Sequence, residues 1–267
     1  MAIPRIAAHR GGAALWPENS LAAFAGALAL GVDLLEFDAH QSADGEVVVI
    51  HDATLDRTTE GTGAVGAQPA AALRQLRLRD RDGALTDERV PLLDDVLALA
   101  SRSRAELLLE VKGPAFSVRY GRDAAGQLEV VPGPVYEGFE AHVLARLDAA
   151  GMRAHTTIMA FNPAVVETVR KLAPSQRTTL LVSRDHVTRA AARPGDTVAW
   201  AKSLGATDLG LEHTLIDADV VTVAHAHGLR LGAWTANDES ALRRLVALGV
   251  DGITTDHPDL AVRLSGR

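Results

Sequence analysis

Short β-rich runs alternate along the chain with Ala- and Leu-rich stretches of helical period. Eight runs read as strands: residues 3–8, 34–40, 107–111, 156–160, 178–182, 208–211, 229–234 and 252–255. Helical patterns fill most of the gaps, at about 20–30 and at 92–100, 136–150, 163–172, 218–227 and 238–248. Asn19 or Ser20 is placed to cap the first of these, and Gly31, Gly151, Gly228 and Gly249 mark helix ends. The alternation predicts βα units with parallel strands.

A ninth run, 46–50, breaks the pattern. Only Ala43-Asp44-Gly45 separates it from the second strand, which is too short for a crossover helix, and Asp-Gly is a hairpin signal. It reads as an antiparallel return that brings His51 back towards Glu36 and Asp38. The other eight strands then close into an α/β (β/α)₈ TIM barrel, one domain over 1–267. Two segments fall outside the repeat: a polar insertion at 56–89, after the second-strand hairpin, and a Gly- and Pro-rich loop at 113–134. Both follow strand ends that carry charged motifs, so both are expected over the C-terminal face, where barrel active sites lie. The first reads as a lid or small subdomain.

Composition narrows the class. Hydrophobic residues make up 47% of the 267 and aromatics only 4%, so the core is aliphatic. The net charge is −7, from 27 basic and 34 acidic side chains, with no basic cluster of the kind that tracks nucleic acid. There is no cysteine, which excludes disulfides, thiolate catalysis and Cys-ligated zinc. The first residues lack the apolar stretch of a signal peptide, and no window approaches a transmembrane segment. A cytoplasmic protein is expected; its oligomeric state stays open.

Chemistry concentrates in four motifs: His9-Arg10-Gly11, Glu36-Phe37-Asp38, His51-Asp52 and Glu110-Val111-Lys112. Glu36 and Asp38 lie two apart on a strand and so share a face, with His40 continuing the row. Glu110 takes the matching end of another strand. Three carboxylates there describe a site for one hard divalent cation, Mg²⁺ or Ca²⁺. The competing reading is a set of interior salt bridges, Glu110 with Lys112 or Glu36 with Arg10. His9 and His51 supply two proton carriers that work near neutral pH. Arg10 and Lys112 would neutralise phosphoryl oxygens. Other histidines, such as His142, His186 and His225, read as surface or core residues.

The combination resembles the glycerophosphodiester phosphodiesterase family. The likeness is carried by AHRGG at 8–12, by 17–63 (from PENSLAAF to EGTG), and by LLLEVK, AWTANDE and GVDGITTDHPD further on. It implies a TIM barrel with metal ligands Glu36, Asp38 and Glu110. It also implies His9 and His51 as the catalytic acid–base pair, with His9 favoured as base, and Arg10 and Lys112 on phosphate. Trp234, with Phe161 as a weaker candidate, would wall the glycerol pocket; Trp234 also reads as a core aromatic. Glu18 would support the site rim, or else complement the dipole of the helix that follows. The substrate would be a small-molecule glycerophosphodiester, cleaved to sn-glycerol 3-phosphate and an alcohol. Lysophospholipase D or phospholipase-C-like chemistry is the alternative, and a non-catalytic binding protein a more distant one. Two features depart from the family: Ala160-Phe161 stands where Ser-Phe is common, and the 113–134 loop is long and charged. Arg119, Tyr120 and Arg122 of that loop are expected near the site mouth.

Overall fold

The structure is a computed structural model that describes residues 3–115 and 118–266. Eight parallel strands form a closed barrel: β1 (Arg5–Ala8), β2 (Leu34–Gln41), β3 (Glu106–Val111), β4 (Thr156–Ala160), β5 (Arg177–Val182), β6 (Asp208–Glu212), β7 (Arg230–Trp234) and β8 (Gly252–Thr255). Each pairs with its neighbours in chain order, and β1 closes the ring by pairing with both β2 and β8. The (β/α)₈ expectation is met, strand by strand. The ninth run forms Val47–Val49, antiparallel to the end of β2 with Ala39 opposite Val49.

The two faces of each strand divide the labour. On β2, Leu35, Phe37 and Ala39 point outward and pack under the helices, with Phe37 edge-on to Phe24 of helix Leu21–Leu30. Leu34 and Glu36 alternate with them and face the lumen. On β3, Leu107 and Leu109 join the outer core, while Leu108 and Glu110 face inward. Burial of the aliphatic layer between barrel and helices fixes the register. A slip of one residue would turn every carboxylate into that layer.

The lumen is incompletely filled. Thr179, Gly210, Gly232 and Gly252 leave a cavity of about 670 Å³ that runs from the C-terminal face down the barrel. Charged residues surround its lower end: Arg5 and Arg177 pair with Glu106, and Arg230 pairs with Asp208.

The helices depart from expectation in places. The 136–150 pattern forms only Phe139–Ala149, because Gly138 adopts φ 68°, outside the right-handed helical region. Helices Arg184–Arg189, Asp196–Ser203 and Pro258–Leu264 carry no clear pattern of their own; Arg193-Pro194-Gly195 interrupts the first two. The insertion folds as a short helix, Ala70–Leu73, and a hairpin of Arg77–Arg79 with Leu85–Arg89. Leu55, Val65, Leu73, Leu78 and Val90 pack with Val48 and Ile50 into a second, smaller core. None of the helices, among the described residues, is long and apolar enough to cross a membrane.

Candidate active site

The chain turns sharply after β1. Arg10 takes φ 50°, and Gly11 and Gly12 take φ 83° and 102°. A side chain on Gly11 would place its Cβ 2.6 Å from Cβ of Ala23, so the backbone there reaches a helix that only glycine can approach. The turn aims the Arg10 amide at Glu36, donating to Oε2 at 2.8 Å. It also leaves His9 at the lip of the cavity.

Glu36, Asp38 and Glu110 converge as expected. All three are buried, and one oxygen from each lies within 4.8 Å of the others. Asp38 stands opposite Glu110 in the register of β2 and β3, which is why two strands can present one cluster. Asn19, buried at a positive φ of 57°, donates through Nδ2 to Oδ2 of Asp38 at 2.9 Å. Lys112 Nζ sits 3.0 Å from Asp38 Oδ1 and 2.6 Å from Glu110 Oε1, and Arg10 Nε lies 3.5 Å from Asp38 Oδ2.

Of the two interior salt bridges of the competing reading, Glu110 with Lys112 forms, whereas the Arg10 guanidinium turns to Asp38 and Glu18 and meets Glu36 only through its backbone amide; three carboxylates are left against two cations. The imbalance is visible in the titration of the cluster. Burial and the charge of Asp38 push Glu36 up to about 7. Burial also raises Glu110, against the opposing pull of Lys112. Burial would raise Asp38 too, but Lys112, His51 and Arg10 outweigh it and hold that carboxyl well below its usual range. A cluster of hard oxygens that retains excess negative charge fits a divalent cation.

Each histidine is oriented by its own carboxylate. His9 Nδ1 lies 2.6 Å from Asp256 Oδ1, and His51 Nδ1 lies 2.6 Å from Asp52 Oδ1. The sequence motifs mark neither carboxylate for that role. Asp52 was legible as the neighbour of His51, but nothing short of the closed ring could bring Asp256 to His9. Asn237 holds Asp256 in turn, donating from Nδ2 to Oδ2 at 2.5 Å and accepting from the Asp256 amide at 2.8 Å. Burial opposes charge on both imidazoles. At His51 it prevails and lowers the pKa. At His9, Glu36 and the Asp256 bond outweigh it and raise the pKa.

Glu18 stands a step back from the cavity. Its Oε1 accepts from Arg10 Nη1 at 3.1 Å, and Arg57 of the insertion also donates to it. The helix begins only at Leu21, with Ser20 as its cap, so Glu18 precedes the first turn it was alternatively expected to occupy. Trp234 and Phe161 meet edge to face at 5.3 Å and line the cavity together. The indole Nε1 is buried with no hydrogen-bond partner among the described residues.

The 113–134 loop behaves differently from expectation. It forms a hairpin, Arg119–Arg122 with Leu128–Val131. Tyr120 is buried behind the site wall rather than at its mouth, stacked on Trp200 at 5.0 Å and tilted over His186 at 4.6 Å. Arg122 turns back to carbonyls of Gly126 and Ala191. Strand alternation turns Arg119, next to Tyr120, onto the opposite, exposed face. His186 in turn meets Phe161 at 5.8 Å, so the hairpin buttresses the wall from behind.

The chain is similar over its length to known proteins. The model of the glycerophosphoryl diester phosphodiesterase family matches residues 9–260. A glycerophosphodiester phosphodiesterase of Caldanaerobacter subterraneus subsp. tengcongensis is 28% identical over 263 residues, 97% of this chain and 96% of the relative. The crystal structure of a glycerophosphodiester phosphodiesterase from Agrobacterium tumefaciens superposes with a TM-score of 0.76 at 26% identity, covering 98% of this chain and 100% of that one. An Oleispira antarctica phosphodiesterase, solved with its product sn-glycerol-3-phosphate, gives 0.77 at 25% identity over 98% and 96% of the two chains.

Proposed function

As the chain belongs to the glycerophosphoryl diester phosphodiesterase family, we propose that it hydrolyses glycerophosphodiesters to sn-glycerol 3-phosphate and an alcohol. The observation that carries this reading is the juxtaposition of a buried carboxylate triad with two carboxylate-oriented imidazoles at one cavity. The product bound by the Oleispira antarctica enzyme supports the same class of substrate.

Glu36, Asp38 and Glu110 would hold one divalent cation, Mg²⁺ or Ca²⁺. When bound, such an ion draws charge from a phosphate oxygen and makes a neighbouring hydroxyl more acidic. Arg10 and Lys112 oppose the remaining phosphoryl charge. Trp234 and Phe161 pack against the glycerol carbons, and the unpartnered indole Nε1 offers a donor to a glycerol oxygen.

With Nδ1 held by a carboxylate, each histidine presents Nε2 for proton transfer. His9 takes the proton of the glycerol 2-hydroxyl as it attacks phosphorus; the new P–O bond closes a cyclic phosphate as the bond to the alcohol oxygen breaks. His51 protonates that departing oxygen. Water then opens the ring, the two histidines exchanging roles. In the ion-free protein the polarity runs the other way, with His9 the more basic. Much of that basicity comes from Glu36, whose charge is no longer free to act on His9 once it serves as a ligand.

The test is release of glycerol 3-phosphate from a panel of glycerophosphodiesters, with release of choline from lysophosphatidylcholine followed alongside, each in the presence of Mg²⁺, Ca²⁺ or Mn²⁺. Turnover of the water-soluble diesters is expected. Cleavage of lysophosphatidylcholine alone would replace this reading with lysophospholipase D chemistry. That alternative calls for an apolar lip on the insertion. Among the described residues of 56–89, Leu85 is the one large exposed hydrophobic side chain.

A further inference from the structure

We infer that Arg57, on the insertion, is a positioning residue that holds His51 and Arg10 in working geometry through one guanidinium shared between Asp52 and Glu18. The inference rests on the proposed role of His51 as a proton carrier.

Arg57 makes two forked contacts. Its Nε reaches Asp52 Oδ2 at 2.6 Å and its Nη2 reaches Oδ1 at 3.0 Å. Its Nη1 and Nη2 reach the two oxygens of Glu18, each at 2.8 Å. Asp52 Oδ1 is also the oxygen that receives His51 Nδ1, and Glu18 Oε1 is also the oxygen that receives Arg10 Nη1. The planar guanidinium therefore orients two carboxylates, and each carboxylate orients one side chain that lines the cavity. Arg57 is not among the lining residues, so its influence passes through these partners.

An exposed ion pair is ordinarily worth little. Here the Arg57 side chain is 49% exposed, yet all three nitrogens are committed to two bidentate pairs. A lysine could supply the charge but not the fork. The gain is directional rather than large in energy. It stops the Asp52 carboxylate from rotating away from His51.

The backbone of His51 is secured separately. His40 donates from Nε2 to the His51 carbonyl at 3.0 Å, and its Nδ1 accepts from Tyr136 Oη at 3.0 Å. Arg57 is thus left with the imidazole alone. Because it belongs to the insertion, docking of that segment completes the orientation of the second histidine.

The experiment compares Arg57→Gln and Arg57→Lys with the unaltered full-length protein. Two quantities are read: kcat and KM on glycerophosphoethanolamine, and the Nδ1 proton resonance of His51 in metal-free protein, assigned by its loss in His51→Gln. Both variants are expected to lower kcat by up to roughly 10²-fold, the scale of a small misplacement, and to raise KM as Arg10 loosens. The His51 resonance should broaden or move while that of His9 stays. A melting temperature within a few degrees of the parent's keeps the result from being one of unfolding.

Unchanged kcat and an unchanged His51 resonance in Arg57→Gln would overturn the inference. So would full recovery of both by lysine. If His51→Ala itself retains normal kcat, the functional reading fails instead, whatever Arg57 does.

Discussion

Asp256, just past the last barrel strand, receives the Nδ1 proton of His9, just past the first, at 2.6 Å. The two residues are 247 positions apart, and the parallel pairing of β1 with β8 makes them neighbours. Asp256 fixes the tautomer of His9, leaving Nε2 as the face that meets substrate. Asp256→Asn presents an amide that suits the wrong tautomer. It is expected to lower kcat by roughly 10²–10⁴-fold, the range for loss of acid–base help, with little change in metal affinity. Steady-state kinetics and a metal titration check both.

His9→Ala and His51→Ala should each reduce kcat within that same span of about 10²–10⁴-fold. A nitrophenyl leaving group, which needs little protonation, should rescue the variant lacking the acid far more than the one lacking the base. Rescue of His51→Ala is expected. Rescue of His9→Ala alone would reverse the assignment of roles.

The Glu36 carboxyl makes the metal-free protein sensitive to pH. Its pKa in the fold, about 7, lies above the ordinary value of 4.5. Protonated Glu36 is the form that the fold favours. This contribution is therefore complete below about 4.5 and lost as pH rises through about 7. Thermal melts of metal-free protein from pH 4.5 to 8 should show Glu36→Gln gaining on the parent as pH rises. Calorimetry should show cation affinity weakening, and proton release on binding growing, as pH falls below 7. Affinity independent of pH would count against Glu36 as a ligand.

EDTA should abolish turnover, and Mg²⁺ or Ca²⁺ should restore it, if the triad serves as proposed. Glu36→Ala, Asp38→Ala and Glu110→Ala should each weaken cation binding, with the far-ultraviolet circular dichroism of the barrel retained. Full activity in metal-stripped buffer would remove the cation from the mechanism.

Gly11→Ala tests the turn after β1. The residue would hold a left-handed φ and drive its Cβ to 2.6 Å from that of Ala23. Strain of about 1–2 kcal/mol for the dihedral and about 1–3 kcal/mol for overpacking is expected. Denaturant unfolding should register the loss, and kcat should fall as the Arg10 amide leaves Glu36.

By itself the sequence determined the barrel, through eight apolar runs spaced by helical patterns, because period and spacing are local properties that survive without neighbours. It also determined the carboxylate row: Glu36 and Asp38 share a face of any strand, and Asp44-Gly45 turns the chain so that His51 returns to them. Only the tertiary structure decided which distant groups complete the site. Asn19 reads as a helix cap yet points at Asp38, and Asp256, Asn237 and Arg57 sit in segments whose local pattern says nothing of histidines. Tyr120 reads as a rim residue, but the hairpin buries it against His186 and Trp200. The physical reason is common to all of them. A side chain's direction follows from its own strand or turn, whereas its partner is chosen by closure of the ring and docking of the insertion, which no short window of sequence contains.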